Sequence, residues 1–223
     1  MSYSGSGGDL KGYLAKPKGF SGELPGVIVI HENRGLNSYI QDVVRRAALA
    51  GYVALAPDFL SPVGGTPENE DQAREMISAL NSQQTLSNLR ATLAFLQNRP
   101  DTTSKVGCVG FCWGGGMTNQ LAVSAPDLGA AIAFYGFPPS LEAVPNIKSP
   151  LLLHYAGLDE RINQEIPAYE TALRTAGKDY IICMYSNVNH AFHNDTNVAR
   201  YDANAAGLSW ERTMAFLDYY LKA

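Results

Sequence analysis

Short apolar runs alternate along the chain with segments whose apolar positions recur every three to four residues. The runs are Val27–Ile30, Tyr52–Ala56, Lys105–Phe111, Ala130–Tyr135, Pro150–Tyr155 and Tyr180–Tyr185. They are continuous rather than alternating, which predicts strands covered on both faces. A shorter, glycine-flanked stretch, Leu10–Ala15, fits an edge strand. Between the runs, Ser38–Ala50 sets Ile40, Val43, Val44, Ala47 and Ala48 on one helical face, and Gly51 follows in the place of a helix stop. Glu68–Gln97 reads as a long helix broken near Asn81-Ser82, and Gly114–Ser124, Gln164–Ala176 and Ala203–Leu221 complete the set. Strand–helix alternation of this kind predicts an α/β fold, a mostly parallel sheet with helices on both faces. Pro62–Pro67 reads as a surface loop rather than a linker, so residues 1–223 are expected to form one domain.

Composition narrows the function. The 223 residues carry 17 Lys+Arg against 21 Asp+Glu, a net charge of −4. There is no basic field to hold a phosphate backbone, so nucleic acid is not an expected partner. No apolar run reaches the ~18–20 residues that cross a bilayer, so no membrane partner is expected either. The three cysteines, Cys108, Cys112 and Cys183, cannot all pair within one chain. The first residues also lack a basic-then-apolar signal pattern. Both suit a reducing, cytoplasmic setting. Cys108 and Cys183 lie inside apolar runs and are expected in the core.

In an open parallel sheet, sites form beyond the carboxyl ends of the strands. The run Lys105–Phe111 passes into Gly110-Phe-Cys-Trp-Gly114, with Gly115 and Gly116 beyond. This is G-x-C-x-G at a strand-to-helix junction. A nucleophile on so sharp a turn needs glycine two residues before and two after, because strand and helix leave no room for Cβ atoms. With 21 glycines in 223 residues, both flanks of one of three cysteines would be glycine by chance only about 0.03 times. Cys112 then stands at a helix N-terminus, whose partial positive charge favours a thiolate. The Trp113 N–H is placed to hold an oxyanion.

A thiol nucleophile needs a base, and the base needs an orienting group. Of four histidines, His31 and His154 come too early for the order nucleophile, acid, histidine. His190 and His193 both follow the last apolar run. His190, first on that loop among small or polar neighbours, is the expected base, and His193 a hydrogen-bonded or solvated loop residue. Asp159, just after Leu151–Gly157, is the expected acid; Glu160 is its competitor, facing solvent or pairing with Arg161. The first long run ends in His31-Glu-Asn-Arg-Gly35. A carboxylate at that strand end points toward the same crevice. Burial there would push the Glu32 carboxyl up unless Arg34 or peptide N–H groups offset it. Glu32 either serves the reaction or braces its loop, and the Asn33 N–H is a second oxyanion donor. Tyr135, Phe137 and Trp113 line an aromatic acyl pocket or simply pack the core.

Together these residues resemble the dienelactone hydrolase family of α/β-hydrolases. The resemblance runs from Gly12-Tyr-Leu-Ala-Lys-Pro17 to the last helix. Its strongest motifs are His31-Glu-Asn-Arg-Gly35, Gly110-Phe-Cys-Trp-Gly-Gly115, Gly157-Leu-Asp159 and Asn189-His-Ala-Phe192. It implies an α/β-hydrolase fold and a Cys112, His190, Asp159 triad. Glu32 is implied to help deprotonate the thiol. The activity implied is hydrolysis of small ester or lactone molecules, such as a dienelactone, with no metal or organic cofactor. Such members bind the substrate's carboxylate with an arginine four residues after the histidine; here that residue is Asn194. Arg34 is the candidate replacement, and Arg74 the counterpart of a second family arginine. Without a guanidinium at 194 the bidentate contact is lost, and neutral esters become the alternative substrates. Two further readings are a peptidase or acyltransferase on the same fold, and a redox-sensing or binding protein acting through Cys112. The chain is expected as a monomer or small homo-oligomer.

Overall fold

The computed structural model describes residues 1–222. Eight strands and seven α-helices alternate through them in an α/β fold with a mostly parallel sheet. By their internal contacts the residues divide into two compact units, Met1–Cys108 and the chain from Val109 onward.

In the first unit, β1 (Ser2–Gly5) and β2 (Gly8–Ala15) form an antiparallel hairpin with Tyr3 opposite Leu10. β2 runs antiparallel to β4 (Val53–Asp58), and β3 (Leu24–Ile30) runs parallel to β4, giving the order β1-β2-β4-β3. β1 escapes the sequence reading because Ser-Tyr-Ser-Gly has one apolar side chain and no periodicity. It is held through Tyr3, whose ring stacks on Phe95 at 4.6 Å and whose hydroxyl bonds Thr92 at 2.8 Å. Helix α1 (Ser38–Leu49) buries Ile40, Val43, Val44, Ala47 and Ala48, the predicted face, together with Tyr39. The Asn37 side chain caps it by accepting the Ile40 N–H, and Gly51 leaves it at φ +93°. The long helical stretch divides into α2 (Glu70–Ser78) and α3 (Ser82–Gln97). The break is where Asn81 turns out of the helix and caps the next one, accepting the Gln84 N–H at 2.9 Å. β5 (Thr102–Phe111) starts in this unit and carries the chain into the second.

The second unit sets β6 (Ala130–Phe134), β7 (Leu151–Ala156) and β8 (Tyr180–Tyr185) side by side and parallel, with Ala131 opposite Leu151 and Leu151 opposite Tyr180. Around them run α4 (Trp113–Ser124), α5 (Glu160–Asn163), α6 (Ile166–Thr175) and α7 (Ala203–Leu221). β6 and β7 are buried along their whole length, as their apolar runs predict. β8 corrects the same expectation. It pairs only with β7 among the described residues, and Ile181 and Met184 are 50% and 46% exposed. Cys183, expected in the core, is accordingly only half-buried, while Cys108 is buried. A run of six apolar residues reads alike at the centre and at the rim of a sheet. No described helix is long and apolar enough to cross a membrane.

Candidate active site

The turn from β5 into α4 holds Cys112 at φ +55° and ψ −114°, a backbone conformation that side-chain-bearing residues rarely adopt. Its N–H donates to the Phe134 carbonyl on β6 at 3.0 Å, and its own carbonyl accepts the Gly116 N–H at 3.2 Å. The glycines around it are there for space. A Cβ on Gly110 would overlap the Gly114 carbonyl and the Thr118 hydroxyl. One on Gly115 would lie 2.6 Å from the Phe134 oxygen, and one on Gly136 2.5 Å from the Gly116 nitrogen. Helix α4 therefore lies directly against the end of β6, and its first residue, Trp113, offers an N–H of the first turn, where no intrahelical acceptor exists.

Asp159 follows β7 and opens α5; its carbonyl accepts the Ile162 and Asn163 N–H groups at 3.1 and 2.9 Å. Its carboxylate accepts the Nδ1–H of His190 in a short hydrogen bond. Burial opposes the charge on Asp159. The His190 bond and charge, the nearby Arg161 guanidinium and the Ile162 N–H outweigh burial, and the carboxyl sits below its usual range. Burial likewise opposes a charged His190. The Asp159 bond and the adjacent Cys112 sulfur overcome it and push the imidazole up to about 9. His190 Nε2 is buried without a hydrogen bond of its own. Cys112 is the second group, after Asp159, that favours the charged ring.

Other predicted residues fall into place around this core. Glu160 is exposed, and Arg161 turns away from it to lie over the Phe137 ring at 4.7 Å. Phe137 is itself 43% exposed, whereas Tyr135 is wholly buried with its ring centroid 4.8 Å from that of His190. His193 is not solvated. It is 1% exposed and sits among the rings of Phe111, Phe134 and Trp210. His154 is buried too, with Nδ1 bonded to the Tyr185 hydroxyl and Nε2 to Thr213. Burial first, then the neighbouring His193 and Arg212, hold its pKa well below the usual value. Asn194 turns its amide oxygen to the Thr196 N–H and hydroxyl at 3.0 and 2.7 Å, closing its own loop.

In the first unit, Glu32 is buried at the end of β3, beside His31, whose Nδ1–H donates to the Glu32 carbonyl at 2.7 Å. Asn33 is half-buried on the same loop. Arg34 turns to the acidic start of α2. It reaches Asp71 at 3.2 Å and Glu70 at 4.0 Å, and Arg74 shares Asp71 at 3.3 Å. The sequence reading missed what holds this loop. Thr66 accepts the Leu36 N–H at 2.9 Å and donates its hydroxyl to Asp58 at 2.8 Å, while Asp58 also accepts the Thr66 and Leu60 N–H groups at 3.0 Å. Gly35, at φ +75°, lets Thr66 approach; a Cβ there would meet the Thr66 methyl at 2.6 Å. Asn119 was missed as well; it is fully buried and donates to the Phe137 carbonyl at 2.8 Å, fixing the loop beyond β6. Neither Thr66 nor Asn119 stands in a motif, so only the fold reveals them. Among the described residues no three His, Cys, Asp or Glu side chains gather as a metal site.

Known proteins place this arrangement. The profile of the dienelactone hydrolase family matches residues 10–221. "Protein usf" of Aquifex pyrophilus is 35% identical, over 99% of this chain and 98% of its own length. A protein of Escherichia coli (strain K12) provisionally named a carboxymethylenebutenolidase is 30% identical, over 98% of this chain and 86% of its own. The crystal structure of a Klebsiella pneumoniae protein, provisionally named a dienelactone hydrolase, superposes with a TM-score of 0.89 at 28% identity, covering 99% and 98% of the two chains. A cysteine elbow on an α/β sheet, matched by this family from β2 to the end of α7, makes the chain a member of the dienelactone hydrolases, a family of α/β-hydrolase fold.

Proposed function

We propose that the chain hydrolyses carboxylic ester or lactone bonds by acyl transfer through Cys112, His190 and Asp159. The observation that carries this reading is the backbone of Cys112, held at φ +55° on a strand-to-helix turn in the same unit as a His190–Asp159 pair. Strain of this kind persists only where the surroundings enforce it, and it clusters at reacting residues. The Cys112 thiol gives its proton to His190, the thiolate attacks the carbonyl carbon, and the carbonyl π electrons move onto oxygen. The Trp113 N–H holds that oxyanion, an effect commonly worth ~10²–10³ in rate per donor. The tetrahedral adduct collapses to a thioester as protonated His190 gives its proton to the leaving alkoxide. His190 then takes a proton from water, the hydroxide adds to the thioester, and the thiolate leaves with the acid product. Asp159 keeps the imidazole in one tautomer throughout.

Neutral esters are favoured over anionic ones by specific contacts. Asn194 spends its amide oxygen on Thr196, and the Arg34 and Arg74 guanidinium groups are already paired with Asp71. The test is a panel of p-nitrophenyl esters and lactones, including a dienelactone, with intact mass measured after rapid quenching. Cys112→Ala should abolish turnover and the acyl adduct while the protein stays folded. Full esterase activity in that variant would overturn the reading, and cysteine-dependent peroxide reactivity without ester turnover would favour the redox alternative.

A further inference from the structure

We propose that Tyr135 is a positioning residue, which fixes the His190 imidazole in the plane of its Asp159 bond and stabilises the ring's protonated form through the aromatic face. The inference rests on the acyl-transfer reading above and assigns Tyr135 a part other than lining the acyl pocket. Tyr135 stands one residue beyond β6 at φ +39°, the left-handed region that a bulky aromatic residue rarely enters. That conformation is enforced from the neighbouring strand, where the His154 carbonyl accepts the Tyr135 N–H at 2.7 Å. Its effect is to turn the ring inward. Tyr135 is 0% exposed, which leaves no face of the ring open to a substrate acyl group.

The inward ring has two neighbours that matter. On one side it meets Phe192 edge-on at 5.5 Å, with Phe134 at 6.0 Å and Phe111 at 6.5 Å behind it. On the other it meets the His190 imidazole, with centroids 4.8 Å apart and planes at 54°. The imidazole is therefore gripped at two places, by Asp159 at Nδ1 and by a ring that the aromatic cluster itself cannot yield. Ala191, next to His190, also lies in the left-handed region at φ +68°, so the loop presents His190 to Tyr135 while sending Phe192 behind it. A cation within about 6 Å of an aromatic centroid is attracted by the ring's quadrupole, most strongly where water is excluded. Asp159 and Cys112 act on the imidazole, with Arg161 acting beyond Asp159, and Tyr135 meets it as a ring.

The test uses the full chain and two readouts. In the unsubstituted protein, the His190 ring protons should be displaced upfield by the Tyr135 ring current, and their resonance should titrate with a single midpoint. Tyr135→Phe, which keeps the ring, should leave that midpoint within about 0.3 pH units and kcat for p-nitrophenyl butyrate within about twofold. Tyr135→Leu, and Tyr135→Asn, which suits the positive φ, should lower the midpoint by about one pH unit. Both should cut kcat roughly tenfold with KM within about twofold. An unmoved midpoint, a rise in KM at constant kcat, or absence of the ring-current displacement would each overturn the proposal. The titration needs no turnover, so it separates this inference from the acyl-transfer reading, which Cys112→Ala tests alone.

Discussion

Replacing Asp159 by Asn should remove stability that depends on pH in a defined direction. In the folded chain His190 is pushed up to about 9, against an ordinary imidazole value of 6.5. The displacement of about 2.5 pH units corresponds to about 3 kcal/mol at about 1.4 kcal/mol per unit. His190 is largely shielded, with 16% of its side chain exposed, so solvent screening removes little of this. Burial pulls the other way, so the Asp159 bond, helped by the Cys112 sulfur, supplies the whole net effect. A group whose pKa rises on folding stabilises fully below its unfolded value and loses that stabilisation as pH climbs through its folded value. Asp159, held below its usual range, must also be ionised, which it is well above pH 4. The stabilisation is therefore complete near pH 6 and fades between about 6.5 and 9. Urea denaturation of the parent chain and Asp159→Asn at pH 6 and pH 9.5 measures it. The difference between them should fall by about 3 kcal/mol, leaving about 1 kcal/mol for the hydrogen bond from the neutral imidazole to the carboxylate. Equal differences at both pH values would refute the assignment of a charged His190–Asp159 pair.

Three other outcomes follow from close contacts. Gly115→Ala and Gly116→Ala should have opposite signs. A Cβ at 115 lies 2.6 Å from the Phe134 oxygen and should cost about 1–3 kcal/mol, whereas at 116 nothing lies nearer than 3.8 Å and the better helix former should add about 0.5–1 kcal/mol, read by thermal unfolding. Cys112→Gly should raise stability by roughly 1 kcal/mol while abolishing ester hydrolysis, because glycine accepts φ +55° without strain. Thr66→Val should destabilise by about 1–3 kcal/mol in urea, since it removes the hydroxyl bond to the buried Asp58 carboxylate and the acceptor of the Leu36 N–H; Thr66→Ser should restore most of the loss.

The sequence was most informative where one physical demand allows few residue types. Continuous apolar runs located β3 through β7 because a strand buried on both faces tolerates little else, and every residue of the predicted α1 face is buried, with Tyr39 added to it. The elbow could be read because a strand and a helix meeting at one residue exclude Cβ atoms, and the Gly110 and Gly115 contacts bear that out. Chain order and strand ends put Asp159 and His190 forward as a pair, and the structure bonds them to each other.

Tertiary structure decided the matters that depend on distant neighbours. A run such as Tyr-Ile-Ile-Cys-Met-Tyr has the same composition at a sheet's centre and at its rim, so the half-exposure of β8 and Cys183 came only from which strand lies beyond it. His193 and His154 carry the same imidazole as His190; what removes them to structural duty is enclosure by aromatic rings and by Tyr185 and Thr213, which come from other segments. Arg34 and Arg74 read as cations available to a substrate until α2 brings Asp71 to them. Local chemistry constrains the backbone within a few residues, whereas burial, charge pairing and ring contacts are set by packing between segments far apart in the chain.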